Sequence, residues 1–456
     1  MKLFIISIVS GCLLAADSFA QKQNTIAIWD ATLIDGTGKA PVAHAVVLIA
    51  GNRIADIGTV DSVFIPPGTE RIDAAGKFVI PGLIDTHLHL EVIGLSDVGE
   101  LTPDWNAPER LRQLTVTDAR LDLISGFTSV RDLGSTELVL NVRDEINAGK
   151  LVGPRIIAAG MQLVRKDTSQ APEPTFLEYD NPEEARTRVQ YLVNLGVDVI
   201  KIRLVHSRPI PSLDEISTIV REAHRLGLKA TVHTEVPADD LVRLAINAGA
   251  DGIEHNAPLR SKNEDLLKLM GHRGMSLMAG SGAFWLQRID TTATIDSLDP
   301  PQKKLFPEEI LSALHLGIDS VHRQTQQMKN SGWSASQRQA SFIAELQRAR
   351  KAGVLLAFGT DCGGYGMIHG EQYKALYGES QMGSSPMQVI VMATRDAAKA
   401  VGKTNELGTI EPGKLADLVI LDADPLLDLR NLHHIYRVMK DGVLYDPAEL
   451  IAMPIQ

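Results

Sequence analysis

Cysteine is nearly absent from this chain, since its 456 residues contain only Cys12 and Cys362. Cys12 lies in an N-terminal stretch that we expect to be removed, as argued below, so the mature protein would keep one cysteine. A single cysteine cannot form an internal disulfide, even in an oxidising compartment. The stability of the fold must therefore come from burial of apolar side chains and, if one is bound, from a metal.

Long basic runs, short-period repeats and low-complexity tracts are also missing. The net charge is −11 at pH 7, and no run of lysines and arginines could follow a nucleic-acid backbone. We therefore expect no nucleic-acid partner. Hydrophobic residues make up 44% of the chain and charged residues 22%, which is the ordinary composition of a globular enzyme. The length suits one large domain with a second, small domain.

The N-terminus lacks an apolar run of membrane-spanning length. A shorter run from Leu3 to Ala16 follows Lys2 and precedes small residues that end at Ala20, which predicts a signal peptide over residues 1–20. We expect export to the periplasm or secretion, with no stable membrane span after processing. A lipoprotein box ending at Cys12 ranks second, because it lies very early in the chain. Processing removes one lysine and one aspartate, so the net charge stays at −11.

Short β segments dominate both ends of the chain. Between residues 25 and 80, apolar segments are separated by turn residues such as Gly51-Asn52. The pattern returns near the C-terminus, where Asp441-Gly442 predicts a hairpin turn. Because both β-rich ends flank one long central region, we expect residues 21–80 and 406–456 to form a small β-sandwich domain together.

The central region, residues 81–405, alternates apolar runs of strand length with amphipathic helical stretches such as Ser212 to Leu226 and Asp239 to Ala248. Eight such units predict an α/β fold, a (β/α)₈ TIM barrel with parallel strands. The predicted strands are 83–89, 127–131, 155–159, 197–202, 228–233, 251–255, 274–279 and 354–360. An insertion over about residues 281–340, with a helical stretch from Leu305 to Gln327, is expected to cover the mouth of the barrel.

Two histidines end the first predicted strand of the barrel. Side chains alternate across a strand, so His87 and His89 point to the same side. Two imidazoles that converge on one point can bind a metal through their neutral ring nitrogens. Two buried core histidines are the alternative interpretation, and the later strands decide between them.

Four further predicted strands end in residues that can bind a metal: Lys201, His233, His255 and Asp361. Strand ends of one polarity converge on the active site of a barrel. Taken singly, Lys201 could extend its ammonium group toward solvent, the histidines could be core residues, and Asp361 could cap a helix. Six such residues at the ends of five strands together favour a metal site.

These residues lie in motifs that resemble the amidohydrolase superfamily. The motifs are PGLIDTHLH, SGFTSVRDLG, GPRIIAAG, DVIKI, VHT, GIEH, FGTD and LGTIEPGKLADLVILDADPL, and they extend over nearly the whole mature chain. The sequence is most similar to the imidazolonepropionase-related branch that includes metal-dependent Xaa-Pro dipeptidases. The resemblance implies two divalent metal ions, normally Zn²⁺. His87, His89 and Asp361 match the ligands of the more buried ion, and His233 and His255 those of the other. Lys201 matches a lysine whose carboxylated side chain bridges both ions.

The chemistry of these groups agrees with that resemblance. Burial and nearby cations lower the pKa of a lysine, and the neutral amine can take up carbon dioxide to become an anionic ligand. Two metals about 3.5–4 Å apart can share a hydroxide and bring its pKa toward ~7. Asp361 could accept a proton from that nucleophile and pass it to a leaving amine. We therefore expect hydrolysis of an amide, a lactam or an ester.

Substrate recognition is expected from the loop after Lys201, which differs from the small, glycine-rich loop of many relatives. Arg203, His206 and Arg208 are our candidates, because a guanidinium can bind a substrate carboxylate through two parallel hydrogen bonds. Surface or interdomain ion pairs are the alternative for these residues. We interpret Arg131-Asp132 as a structural ion pair and Cys362 as a packing residue.

The preferred function is a metal-dependent amidohydrolase that cleaves a C–N bond of a small molecule, such as an Xaa-Pro dipeptide or an N-acyl amino acid. A lactonase or esterase that uses the same site is the alternative. A mononuclear deaminase would not need the strand-four lysine, and a non-catalytic binding protein would not need to keep all six metal-binding residues. The expected partner is a small substrate, and a homo-oligomer is left open.

Overall fold

A computed structural model describes residues 25–92, 107–235, 238–255, 263–280, 300–306, 311, 335–364 and 367–455. The predicted signal peptide, residues 1–20, lies outside the described residues. So do most of the insertion at residues 281–340 and most of the helix expected from Leu305 to Gln327. Within the described ranges, no helix is both long and apolar enough to cross a membrane.

One sheet of eight strands is built from the two ends of the chain. Its strand order is β18-β17-β16-β5-β1-β2-β3, and β4 pairs with β1 beside this path. The strands are β1 (Thr25–Leu33), β2 (Val42–Ala50), β3 (Arg53–Thr59), β4 (Glu70–Asp73), β5 (Phe78–Pro81), β16 (Leu418–Leu421), β17 (Ile435–Lys440) and β18 (Val443–Tyr445). β16 pairs antiparallel with β5, which joins the C-terminal strands to the N-terminal ones. The hairpin turn Asp441-Gly442 has positive φ at both residues, as the sequence predicted.

Ten shorter strands pair in parallel in the central region. They are β6 (Leu83–Leu88), β7 (Phe127–Asp132), β8 (Arg155–Ala158), β9 (Gln162–Arg165), β10 (Phe176–Tyr179), β11 (Val199–Leu204), β12 (Lys229–Thr234), β13 (Gly252–Glu254), β14 (Ser276–Gly280) and β15 (Leu355–Gly359). β6, β7 and β8 form one sheet, and the order in the other is β10-β9-β11-β12-β13-β14-β15. All eight predicted strands are present, with ends within two residues of the prediction, whereas β9 and β10 were not predicted.

Backbone hydrogen bonds also connect these two parallel sheets at two places. At β8, the edge of the three-stranded sheet, Asp198 N donates to Ala158 O over 2.8 Å, which places the start of β11, an inner strand of the other sheet, beside the end of β8. At the opposite edge of the three-stranded sheet, Asp361 N donates to His87 O over 2.7 Å, and Leu88 forms a parallel bridge with Cys362. The end of β15 therefore lies against the end of β6.

Helices follow most of the central strands. They are α1 (Pro108–Ile124), α2 (Leu138–Asn147), α3 (Pro182–Leu195), α4 (Leu213–Arg225), α5 (Asp239–Ala248), α6 (Glu264–His272), α7 (Pro300–Lys303), α8 (Ala335–Lys351), α9 (Tyr373–Gln381), α10 (Pro386–Val391), α11 (Ala397–Ala400) and α12 (Pro447–Ala452). Ser212 and Glu215 form a capping box that begins α4, and two aspartates begin α5. The prediction of an α/β fold is confirmed.

Several of the buried charged side chains lie at or near the carboxyl ends of the parallel strands, among them Lys201, Glu254 and Asp361. Every residue of β6, β7 and β14 is buried, as expected for parallel strands covered on both faces. The largest apolar cluster combines these strands with the inner faces of the surrounding helices. Charged side chains that the strands bring into this interior therefore need specific partners.

Candidate metal centre

Three side chains that can bind a metal converge where β6 and β15 end. One ligand atom each from His87, His89 and Asp361 lies within 4.8 Å of the other two. Oδ1 of Asp361 lies 3.5 Å from Nε2 of His87 and 3.3 Å from Nε2 of His89. The alternation of side chains along β6 brings both imidazoles to one carboxylate, as the sequence predicted. Two ring nitrogens and a carboxylate oxygen are donors that Zn²⁺ accepts.

Backbone geometry at the strand ends aims these side chains. His255 and Asp361 have φ values of +64°, a left-handed conformation that is uncommon for residues other than glycine. The hydrogen bond from Asp361 N to His87 O holds the turn after β15 against β6. Such strained residues cluster at functional sites, where the surrounding structure maintains them.

The other three candidates lie beside this group. Lys201 is almost completely buried, and its Nζ lies 3.5 Å from Nε2 of His87. The His255 ring lies 4.8 Å from the His87 ring and 4.5 Å from the His233 ring, measured between centroids. Nδ1 of His255 lies 3.9 Å from Oδ2 of Asp361. The structure therefore brings all six candidate metal residues together.

The electrostatics of the cluster favour the protonation states that bind metals. Burial lowers the pKa of His87 and His233, and it lowers the pKa of His255 to about 4. Burial also lowers the pKa of Lys201 to about 7, against the raising effect of nearby carboxylates. For Asp361, burial alone would raise the pKa, but the adjacent histidines hold it below its usual range. At neutral pH His87, His233 and His255 are neutral, Asp361 is ionised and Lys201 has a substantial neutral fraction.

Glu254 is a site residue that the sequence analysis missed. Its Oε2 lies 2.9 Å from Nδ1 of His87, while its Oε1 accepts hydrogen bonds from Arg131, at 2.7 Å, and from the Thr231 hydroxyl. Arg131 also donates from Nε to the carbonyl oxygen of Thr86. A carboxylate behind a histidine fixes the ring and leaves the other nitrogen free for a metal. The adjacency of Glu254 to His255 in GIEH was the only signal for it in the sequence.

The predicted ion pair between Arg131 and Asp132 is wrong, because adjacent strand residues point to opposite faces. Arg131 pairs with Glu254 instead. Asp132 accepts a hydrogen bond from Leu90 N over 2.8 Å and another from the Ser135 hydroxyl over 2.7 Å. It thereby organises the backbone that follows His89.

A second buried group supports His89 from behind. Nε2 of His369 lies 3.2 Å from the carbonyl oxygen of His89, and Nδ1 of His369 lies 2.9 Å from Oδ1 of Asp122. Gln372 donates to the same Asp122 oxygen, and Asp118 lies 3.8 Å from His369. Burial lowers the pKa of His369, but the two aspartates more than offset it and raise that pKa to about 10. No local sequence pattern indicated this group.

The three candidates for substrate binding lie in different surroundings. Arg203 follows Lys201 on β11, and its Cζ lies 5.7 Å from the centroid of the Phe176 ring. His206 is exposed and bonds to Glu235 and, at 3.0 Å, to Asp240. Arg208 is buried and pairs with Glu178 at 3.2 Å. Of the three, His206 and Arg208 have the ion pairs that we gave as the alternative.

Cys362 is a buried free cysteine next to Asp361. Its backbone N–H donates to the Thr360 hydroxyl, and burial raises the pKa of its thiol. A thiol that is buried and not ionised is a poor nucleophile. This environment agrees with a packing role.

The site combines histidines, a lysine and a carboxylate at the carboxyl ends of parallel strands. This arrangement is typical of one class of protein, the metal-dependent α/β enzymes. The chain belongs to the amidohydrolase family, whose sequence pattern matches residues 78–445. This match confirms that the protein is an amidohydrolase, a hydrolase that acts on carbon–nitrogen bonds. The family membership also implies a metal-dependent enzyme with a TIM-barrel-like α/β fold.

Relatives of known sequence share about a quarter of their residues with this chain. A 5-methylthioadenosine/S-adenosylhomocysteine deaminase of Symbiobacterium thermophilum is 24% identical over 421 residues, which are 86% of this chain and 84% of that protein. An imidazolonepropionase of Fusobacterium nucleatum is 24% identical over 434 residues, which are 87% of this chain and 90% of that protein.

Solved structures resemble this one over almost its whole length. A Xaa-Pro dipeptidase with methionine bound in its active site is 28% identical, with a TM-score of 0.73, and the match covers 93% of this chain and all of that one. A structure described as a prolidase candidate from Bifidobacterium longum is 25% identical, with a TM-score of 0.71, and covers 92% of this chain and 94% of its own.

Proposed function

We propose that this enzyme hydrolyses an amide bond of a small substrate, such as an Xaa-Pro dipeptide or an N-acyl amino acid, with two divalent metal ions, Zn²⁺ in the first instance. The observation that carries the proposal is the buried Lys201 beside the cluster, with its Nζ 3.5 Å from Nε2 of His87. Burial of a positively charged lysine beside three histidines is energetically unfavourable. A carboxylated lysine is an anion and can act as a metal ligand.

The residues present fit two metal ions. His87, His89 and Asp361 would hold the more buried ion, since their ligand atoms converge within 4.8 Å and Glu254 already orients the His87 ring. His233 and His255, whose rings are 4.5 Å apart, would hold the other. A carboxylated Lys201 would bridge the two. Bound divalent ions supply an acidified water and polarise a carbonyl group.

Asp361 is the residue of this chain that we assign to proton transfer. Its carboxylate is ionised at neutral pH because the pKa is held below its usual range, so it can accept a proton. The same group can then donate that proton to the amine that leaves. Its contacts with three histidines keep the carboxylate at the centre of the cluster.

The fold that we propose around the site is a closed (β/α)₈ barrel at residues 81–405. Hydrogen bonds between β8 and β11 and between β15 and β6 support closure, since they connect both edges of the three-stranded sheet to strands of the other sheet. The eight-stranded sheet supports a second domain, a β-sandwich made by residues 21–80 and 406–456. We also propose export after removal of residues 1–20, which N-terminal sequencing of the native protein would test.

The choice of a C–N bond over an ester rests on the names of the relatives. The similar proteins include a Xaa-Pro dipeptidase, an imidazolonepropionase and a deaminase, all of which act on C–N bonds. A lactonase or esterase remains the alternative, because the same arrangement can polarise either carbonyl group. The buried lysine favours the two-metal hydrolases over a mononuclear deaminase.

The deciding experiment combines metal analysis with a substrate screen. We expect about two equivalents of zinc per chain, and activity on dipeptides or N-acyl amino acids rather than on lactones. Lys201→Ala should lose metal and most activity, and short carboxylates should restore part of it. Lys229→Ala is the matched control, because Lys229 is the first residue of β12, at the end of the strand opposite His233, and its partly exposed side chain forms an ion pair with Asp251. A metal-free Lys201→Ala protein with full activity would refute the proposal.

A further inference from the structure

We propose that the Arg203 guanidinium, packed beside Phe176, is an anion subsite next to the metal centre that binds a carboxylate of the substrate. This subsite deepens the proposed function, since it restricts the substrates to those with a negative charge near the scissile bond. The role of this subsite in catalysis rests on the proposed function. The affinity of Arg203 for anions is independent of the proposed function and can be measured separately.

The position of Arg203 follows from the strand register. Arg203 is two residues after Lys201 on β11, so both side chains lie on the same face of the strand. On the neighbouring strand, the register partner of Arg203 is His233. Arg203 therefore lies two residues closer than Lys201 to the carboxyl end of β11, on the face of the strand that carries the proposed metal ligands.

The charge of Arg203 has no counterion among the residues that the structure describes. No carboxylate in that part of the chain lies within ion-pair distance, and the recorded contact of its guanidinium is the Phe176 ring, 5.7 Å from Cζ to the centroid. Arg208 lies on the same ring, at 5.0 Å, but it pairs with Glu178 at 3.2 Å and lies 3.9 Å from Glu173. Of the two arginines at Phe176, only Arg203 has a charge available for a ligand.

The guanidinium of Arg203 lies on the face of the sheet that carries the proposed metal ligands, opposite His233 in the strand register and two residues after Lys201. A cation without a counterion beside a site for two more cations is unfavourable. A bound anion would remove the cost, and a guanidinium can bind a carboxylate through two parallel hydrogen bonds.

A carboxylated Lys201 is the competing partner, because it would be an anion on the same face of β11. The two assignments differ in what the loss of Arg203 does. If Arg203 neutralises the carboxylated Lys201, loss of Arg203 weakens the binding of the metal and weakens the binding of all substrates equally. If Arg203 binds the substrate carboxylate, its removal affects ligands with that group and spares neutral ones.

The experiment measures binding of two matched probes to the zinc-loaded protein by ligand-observed NMR. One probe is 4-oxopentanoate, in which a CH₂ group replaces the amide NH of N-acetylglycine and prevents hydrolysis. The other is its neutral amide, 4-oxopentanamide. The wild type should prefer the carboxylate by about 10- to 100-fold, the factor that one charge-assisted hydrogen bond provides. Arg203→Met should abolish that preference and keep the zinc, and Arg203→Lys should retain part of it.

Arg208→Met is the matched control, because it removes the other guanidinium at Phe176 and should keep the preference for the carboxylate. Equal binding of the two probes by the wild type, or no binding of either, would overturn the subsite. So would loss of zinc from Arg203→Met with equal weakening of both probes, which would assign Arg203 to Lys201. A substrate screen that finds no amide hydrolysis counts against the proposed function alone.

Discussion

Nδ1 of His87 and Oε2 of Glu254 lie 2.9 Å apart, and each side chain is only 1% exposed. Burial would raise the pKa of Glu254, but Arg131 and His87 lower it, so Glu254 is ionised and accepts a hydrogen bond from the Nδ1–H group of His87. Nε2 is then the nitrogen without a proton, and it faces Asp361. Glu254 thus sets the tautomer of a histidine that we propose as a metal ligand.

Glu254→Gln should reduce the affinity of the buried metal by ~10- to 100-fold, the usual effect of losing such a partner. The amide keeps the size of the side chain but loses the charge that orients His87 and neutralises Arg131. Zinc affinity can be measured by competition with a chromogenic chelator.

Glu379→Gln is the matched control for that prediction, since Glu379 is equally buried but lies on α9, and burial raises its pKa to about 7. An amide resembles its protonated form, so zinc affinity should not change. Equal zinc affinities of Glu254→Gln and the wild type would show that His87 needs no carboxylate partner.

The cluster of His369 with Asp118 and Asp122 predicts a pH-dependent stability. The pKa of His369 rises from 6.5 to about 10 on folding, so between these values the folded protein holds a proton that the unfolded chain has released. The contribution of His369 to the free energy of unfolding therefore falls as pH rises between these values, by about 1.4 kcal/mol per pH unit. The contribution is complete below about pH 6.5 and is lost as the pH passes about 10.

The measurement compares urea unfolding of the wild type and of His369→Gln from pH 6.5 to 10. The wild type should be more stable at pH 6.5, and its advantage should shrink steadily as the pH rises. The exposed His224, which pairs with Asp251, supplies the control variant His224→Gln. A stability difference that is constant over this range would mean that His369 holds no extra proton.

Gly359 leaves no room for a side chain at the end of β15. A Cβ there would lie 2.9 Å from Met278 Cγ, 3.0 Å from Thr86 Oγ1 and 3.1 Å from His87 Cβ. Gly359→Ala should cost ~1–3 kcal/mol of stability, as overpacking does, and should weaken zinc binding because it displaces His87. Thermal unfolding and the chelator assay would report the two effects.

Gly149→Ala is the control that distinguishes the effect of backbone strain from the effect of steric crowding at His87. Gly149 has a φ of +69°, and an added Cβ would meet nothing within 4 Å. The substitution should lower stability through backbone strain and leave the affinity for zinc unchanged. If Gly359→Ala also lowers stability without changing the affinity for zinc, the close packing around Gly359 does not position His87 for metal binding.

The sequence predicted the strand ends well because apolar runs between turn residues set them locally. β9 and β10 were not predicted because each is four residues long and contains charged or amide side chains, such as Gln162 and Glu178. Strands this short carry no clear periodicity. Yet β10 supplies Phe176, against which Arg203 packs.

The partners of the metal residues could not be predicted, for a different reason. Arg131 and Glu254 are 123 positions apart, and Asp122 and His369 are 247 apart. Each pairing depends on which strands and loops become neighbours and in which register, and no local pattern records this. His87 and His89 could be found because two positions on one strand fix their relationship.

The final prediction concerns Asp361, to which we assign both metal binding and proton transfer. Asp361→Asn keeps a neutral oxygen for a metal but cannot take up a proton at neutral pH, so kcat should fall by at least ~10²–10⁴-fold. Zinc content should fall less than with Lys201→Ala, because asparagine keeps an oxygen that can bind a metal whereas alanine has no ligand atom. The measurement is kcat on the best substrate of the screen, normalised to bound zinc. Asp422→Asn is the control, since Asp422 forms a surface ion pair with Lys77. A near-normal kcat at full zinc occupancy would remove Asp361 from proton transfer and leave it as a ligand only.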